Sequence, residues 1–174
     1  MFSDAGSDSK SNNCDQATED LPFVSDMGFD QSELALLETI RNICCSMTQP
    51  GHDPLKPASH CLTKVWSITH SSVIFDGLFN LITVLRDARN EPFHFVDPRC
   101  AHCSRHIGPS EVQLIYLLRH VQSGNSDRAT DFSRLLAAGG DAEAIEDAAM
   151  AVAQVVSSNA IRNSVKVSVS TVIH

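Results

Sequence analysis

Residues 30–47, DQSELALLETIRNICCSM, contain the clearest folding signal in the chain. Asp30 and Glu33 have the spacing of a capping box, in which each side chain accepts a hydrogen bond from the other residue's backbone N–H at the start of a helix. Apolar residues then recur every three or four positions, as on one face of an amphipathic helix: Leu34, Leu37, Ile40, Cys44 and Met47. The sequence therefore predicts a helix that begins after Asp30 and ends before Pro50 and Gly51.

Helical signals recur along the rest of the chain. Capping residues or apolar stripes mark them at Ser59, residues 74–85, Ser110, residues 127–138 and Asp141. The first two of these segments form either one long helix or two helices that meet near residues 70–72. The sequence therefore predicts an all-α fold, a bundle of five or six helices, with a Cys/His-rich central loop over residues 89–109.

The end of the chain changes its period. Val165, Val167 and Val169 alternate with polar residues, a pattern that predicts a β-strand. A single strand needs a partner, so this segment either pairs with another chain or has no fixed structure. We therefore divide the chain into an acidic, largely disordered N-terminal tail (1–30), a helical domain (31–158) and a C-terminal tail or strand (159–174).

The charge of the chain is concentrated near its beginning. The formal net charge is −8, and residues 1–30 contain seven acids against Lys10 alone. Residues 31–174 contain 14 acids and 12 bases, so the expected helical body is close to neutral. We interpret the tail as a solvated segment that docks through Phe23 and Phe29; the alternative is an acidic arm that binds a basic partner.

Composition and leader signals narrow the class of protein. Apolar residues make up 43% of the chain, which excludes wholesale disorder. No apolar run approaches the roughly 18–20 residues that cross a bilayer, so we expect no membrane association. The first 20 residues carry five acids and one lysine, unlike a secretory or mitochondrial leader. We therefore expect a cytoplasmic protein with reduced thiols.

A cluster of cysteine and histidine residues marks the central loop. Five of the 13 residues from His94 to His106 are of these two types, namely His94, Cys100, His102, Cys103 and His106. A C-x2-C turn directs both thiolates to one point, and His106 is close enough to add a third bond. Two thiolates neutralise a divalent ion, and neutral histidines fill the remaining positions. The cluster therefore predicts a metal site, zinc with iron as the alternative ion, held by Cys100, Cys103, His106 and His94.

The same residues have other interpretations. Four protein ligands would make the zinc a structural staple, whereas an open fourth position with water near Glu111 would make a metal-dependent enzyme. Residues 100–103, Cys-Ala-His-Cys, also resemble the Cys-x-His-Cys motif of protein disulfide isomerases, which implies dithiol chemistry. In that family the motif begins a helix within a βαβ unit, whereas here Gly108-Pro109 interrupts any helix soon after Cys103.

Catalytic and nucleic-acid signatures are weak in this chain. It has no G-x-S-x-G, P-loop, Rossmann glycine pattern or H-E-x-x-H motif. Helices at 110–123 and 127–138 resemble a helix-turn-helix, but the body lacks the net positive charge that phosphate binding needs. We therefore expect an accessory or regulatory protein that acts through a protein partner or a second copy. The alternatives are a metal-dependent enzyme, a transcriptional regulator and a thiol or metal sensor.

Overall fold

The computed structural model describes residues 18–48, 53 and 55–169. Six α-helices lie in this part of the chain: α1 (Gln31–Thr48), α2 (Leu55–Thr63), α3 (Ile68–Ala88), α4 (Pro109–Gln122), α5 (Ser126–Ala137) and α6 (Ala142–Val169). Short 3-10 helices cover Val24–Met27 and Cys103–Arg105. The predicted all-α fold is confirmed, and the described residues contain no strand beyond a single bridge between Phe23 and His106.

The start of α1 has the predicted capping box. The backbone N–H of Glu33 donates to Asp30 Oδ1, and the N–H of Asp30 donates to Glu33 Oε2, both at 2.9 Å. These bonds satisfy N–H groups that a helix leaves without an internal partner at its first turn. Local sequence therefore determines where the first helix begins.

The second and third helices are separate, and their boundary differs from the prediction. α2 begins at Leu55, so Ser59 lies inside the helix rather than at its cap. Pro57 is accommodated because it stands in the first turn, where its missing N–H costs no hydrogen bond. The break falls at residues 64–67, where the N–H of Trp66 donates to Leu62 O at 2.8 Å and turns the chain toward α3.

The predicted C-terminal strand is not confirmed. The backbone continues from Ala142 to Val169 as one helix, α6, and residues 170–174 lie outside the described residues. A lone strand would leave its backbone groups without partners, whereas extending an existing helix adds a hydrogen bond at each residue and needs no new nucleus. The alternating valines therefore do not form a strand here, because continuing the existing helix is more favourable.

The core lies where α3 crosses α6 and where both meet the other helices. α3 approaches α6 closely at Gly77, where an added Cβ would lie 3.4 Å from Val152 Cγ2. α4 and α5 pack on each other and on α6, while α1 and α2 pack on α3. The largest fully buried side chains come from α1 to α4 and, at Ile107, from the loop before α4. Those of the helices are Leu36, Leu37, Ile40, Ile43, Leu62, Ile74, Leu78, Leu81, Leu85, Leu114 and Ile115.

α3 is the one helix in the described part whose length and apolar composition would allow it to cross a membrane. One face is fully buried in the core, at Ile74, Leu78, Leu81 and Leu85. A helix buried in the core of a soluble protein has the same composition, so these properties alone do not indicate a membrane span.

Candidate functional site

The central loop, residues 89–108, follows α3. Its junction with α3 is held by contacts with the end of α5 and the turn between α5 and α6. The guanidinium of Arg89 donates to the carbonyls of Leu136 and Glu91, and it lies over the ring of Phe93. The N–H of Asp141 donates to Ala88 O at 2.9 Å. Contact is so close that a Cβ on Gly140 would lie 1.8 Å from the same carbonyl oxygen. Only glycine therefore fits at position 140.

A buried ion pair between Arg41 of α1 and Glu111 of α4 lies beneath the loop. Arg41 Nε is 2.7 Å from Glu111 Oε1, and Arg41 Nη2 is 2.9 Å from Oε2, so the pairing is bidentate. The two side chains are 3% and 0% exposed. Charges at this depth are tolerated only when their remaining donors and acceptors are also satisfied.

The loop backbone satisfies those remaining groups. Arg41 donates to the carbonyls of Ser104 and His106, at 2.9 and 2.6 Å. Glu111 accepts the backbone N–H groups of Val96 and Gly108, at 3.2 and 2.8 Å. The ion pair therefore holds the loop from the core side at four positions between residues 96 and 108. We call Arg41 and Glu111 the clamp.

The two cysteines of the C-x2-C motif meet above the clamp. Their Sγ atoms are 2.9 Å apart, within hydrogen-bonding distance and longer than the about 2.05 Å of a disulfide bond. The N–H of Cys103 lies 3.3 Å from Cys100 Sγ and donates to it. Cys100 is half-buried, whereas Cys103 is 5% exposed. The pair is thus a reduced dithiol, not a disulfide, with one half-buried and one shielded sulfur.

His106 connects the loop to the N-terminal segment. Its ring centroid lies 4.5 Å from that of Phe23, and its Nδ1 lies 3.0 Å from Leu21 O. Because a carbonyl only accepts, Nδ1 carries the proton in this contact. The N–H of Ile107 donates to Pro22 O at 3.0 Å. We call residues 21–23 the strap. Phe23 is 48% exposed, whereas His106 is 6% exposed.

The described residues bring together only part of the predicted zinc site. In residues 18–48, 53 and 55–169, no group of three or more His, Cys, Asp and Glu side chains could hold a metal ion. Cys100 and Cys103 are adjacent, but His106 is engaged with the strap and the side chain of His94 is exposed. The zinc site therefore stays a prediction that this arrangement does not support.

The cysteines of α1 and α2 lie in a different environment. Burial, together with the negative charge of Glu111, raises the pKa of Cys44 to about 12. Burial and a 2.8 Å hydrogen bond to the Glu38 carboxylate raise the pKa of Cys61 to about 12. Burial also raises the pKa of Cys45. These thiols stay protonated near neutral pH, as expected for cysteines that pack as small apolar residues.

Sequence reasoning missed the clamp. In the sequence, Glu111 stands out only as an acid beside the predicted metal, and Arg41 belongs to none of the predicted sites. A signal for Arg41 exists, because it stands four residues after Leu37 and four before Cys45, on the apolar side of α1. A charged residue at such a position needs a buried partner of opposite charge.

Comparison with known protein families, with curated proteins and with solved structures finds no match to this chain.

Proposed function

We propose that this protein is a cytoplasmic regulatory protein in which the Cys100–Cys103 dithiol closes to a disulfide under oxidising conditions and so changes binding to a protein partner. The observation that supports this proposal is the 2.9 Å separation of the two Sγ atoms in a turn that the clamp holds in place. A preorganised pair closes with little loss of chain entropy, because the loop is already ordered in the reduced protein.

The exposure of the two sulfurs assigns their roles. The Cys100 thiolate attacks one sulfur of a small-molecule disulfide of the glutathione class, forms a mixed disulfide and releases one thiolate. The Cys103 thiolate then attacks Cys100 Sγ and releases the second thiolate. The protein loses two electrons and two thiol protons, and the oxidant becomes two thiols. The hydrogen bond from the Cys103 N–H holds Cys100 Sγ within the turn, beside the second sulfur.

The backbone around the motif favours a regulatory role over an oxidoreductase role. Thiol oxidoreductases gain nucleophilicity from a helix that begins at the first cysteine. Here the motif leads into a three-residue 3-10 helix, Cys103–Arg105, which has little dipole to stabilise a thiolate. A dithiol that exchanges slowly is better suited to sensing the redox state of its surroundings than to catalysing thiol exchange.

Equilibration in glutathione buffers tests the proposal. The full chain is held at a series of ratios of reduced to oxidised glutathione, then acid-quenched, alkylated and mapped by mass spectrometry. We expect a disulfide between Cys100 and Cys103 while Cys44, Cys45 and Cys61 remain alkylatable. A Cys44→Ser variant is the matched control and should close like the wild type. Persistent thiols or only mixed disulfides at Cys100 would refute the proposal.

Metal binding is the second candidate, with zinc foremost and iron as the alternative ion. Two soft donors lie together at Cys100 and Cys103, and the bond from His106 Nδ1 to Leu21 O leaves Nε2 as the nitrogen that could bind a metal. Further ligands, from this chain, a partner or a second copy, would complete the site. Elemental analysis of protein purified without chelator should give about one zinc per site in the wild type and none in Cys100→Ser. Sub-stoichiometric metal in the wild type would remove this candidate.

A further inference from the structure

The strap contacts His106 and Ile107, which lie three and four residues after Cys103. Between the strap and the loop there are two hydrogen bonds and one aromatic contact, all of them to His106 and Ile107. Phe23 and His106 also form the single antiparallel bridge of the described chain. The strap therefore covers the outer side of the segment whose inner side the clamp holds.

His106 links the strap to the turn that contains Cys103. The N–H of His106 donates to Cys103 O at 2.9 Å and closes the 3-10 turn. The carbonyl of His106 accepts from Arg41, while its ring contacts Phe23 and Leu21 O. With the strap in place, His106 is held on both sides. Without the strap, His106 keeps its bond from Arg41, its own N–H bond to Cys103 O and its ring contact with His102, but its ring loses the contacts with Phe23 and Leu21 O. The turn then gains conformations in which Cys103 lies farther from Cys100.

We infer that the strap sets how readily the dithiol closes, with Phe23 and His106 as positioning residues. This inference rests on the dithiol function proposed above. A seated strap keeps the Cys103 sulfur within reach of Cys100, which raises its effective concentration for the second exchange step. A displaced strap lowers that concentration, so the intramolecular disulfide forms less readily and the mixed disulfide at Cys100 persists.

Substitution of Phe23 tests the inference in the full chain. Phe23 is about half exposed and lies outside the core, so Phe23→Ala should fold. From the strength of aromatic pairs, the equilibrium constant for closure in glutathione buffer should fall by about three- to ten-fold. The fraction of mixed disulfide at Cys100 should rise correspondingly. Phe23→Tyr keeps the ring and should restore closure to the wild-type value.

Phe29→Ala is the matched control. Phe29 lies in the chain between the strap and α1, and its ring faces Tyr116 and Arg119 rather than the loop. This variant should lose stability without changing the closure constant by more than about two-fold. If the wild type and Phe23→Ala form the Cys100–Cys103 disulfide equally well, the inference about the strap is wrong while the proposed dithiol function stands. Wild-type protein that never forms the Cys100–Cys103 disulfide would overturn both the proposed function and the inference.

Discussion

The cysteines of the central loop differ from those of α1 and α2 less in how deeply they are buried than in whether a second cysteine sulfur lies beside them. Cys103 is as buried as Cys44, at 5% exposure each, yet only Cys103 has a second sulfur beside it. Cys44 and Cys45 are neighbours in the chain, but consecutive side chains on an α-helix point about 100° apart. Residues 100 and 103 lie in a tight turn, which brings their side chains together. Backbone shape therefore pairs the two loop cysteines, whereas burial raises the pKa of the cysteines in α1 and α2.

Removal of the clamp should have the largest effect on stability. Arg41→Ala leaves Glu111 as a buried charge without its cation, so unfolding free energy in urea should fall by ~3–5 kcal/mol. The half-exposed pair of Arg119 and Glu33 is the control, and Arg119→Ala should cost ~1 kcal/mol or less. Equal losses in the two variants would contradict the assignment of Arg41 and Glu111 as the group that holds the loop.

The rates of alkylation distinguish Cys100 from the cysteines of α1 and α2 directly. At pH 8, a thiol whose pKa is about 12, as for Cys44 and Cys61, is ionised in only about one molecule in 10,000. Cys100 should react with iodoacetamide at least ~100-fold faster than either, as followed by peptide mapping over time. In urea-unfolded protein the rates should converge, because the environments that separate them are gone. Comparable rates in the folded chain would show that the two regions do not differ in reactivity.

Glu38→Gln should make Cys61 more reactive and so reduce its difference from Cys100. Burial is the larger cause of the raised pKa of Cys61, and the Glu38 carboxylate adds to it through a hydrogen bond and its charge. Removing that charge should lower the pKa of Cys61 but leave it above its ordinary value. We expect a roughly three- to ten-fold faster alkylation of Cys61 at pH 9. Cys44, distant from this change, serves as the internal control and should keep its rate.

The smallest expected effect concerns acid stability at the start of α1. Burial raises the pKa of Glu33, but hydrogen bonds from Arg119 and from the Asp30 N–H outweigh it, so the pKa lies below its ordinary value. A lowered folded-state pKa means that this contribution is present above pH about 4.5 and is lost as the pH falls through the folded value. Wild type and Glu33→Gln should therefore differ by ~1 kcal/mol or less at pH 7 and converge toward pH 3. A difference that persists at pH 3 would contradict this account.

Much of the fold follows from local pattern, and the exceptions have physical causes. Asp30 and Glu33 cap α1 as predicted because the capping bonds join residues only three apart. The strand predicted at residues 165–169 does not form, because the helix that begins at Ala142 continues through these residues. The cluster of Cys and His types predicts chemistry in the loop, but residue types alone do not determine where each side chain points. His106 illustrates this, since its ring holds the strap.

Local sequence is enough to predict most of the helices, the capping of the first one, and a turn tight enough to bring Cys100 near Cys103. All of these arise from interactions between residues a few positions apart. Only the tertiary structure decided what surrounds that turn. The clamp joins residues 70 positions apart, and the bond from His106 to the strap spans 85. Partners so distant in the chain meet only when the helices pack, because no local pattern specifies which buried charge or carbonyl will face which loop.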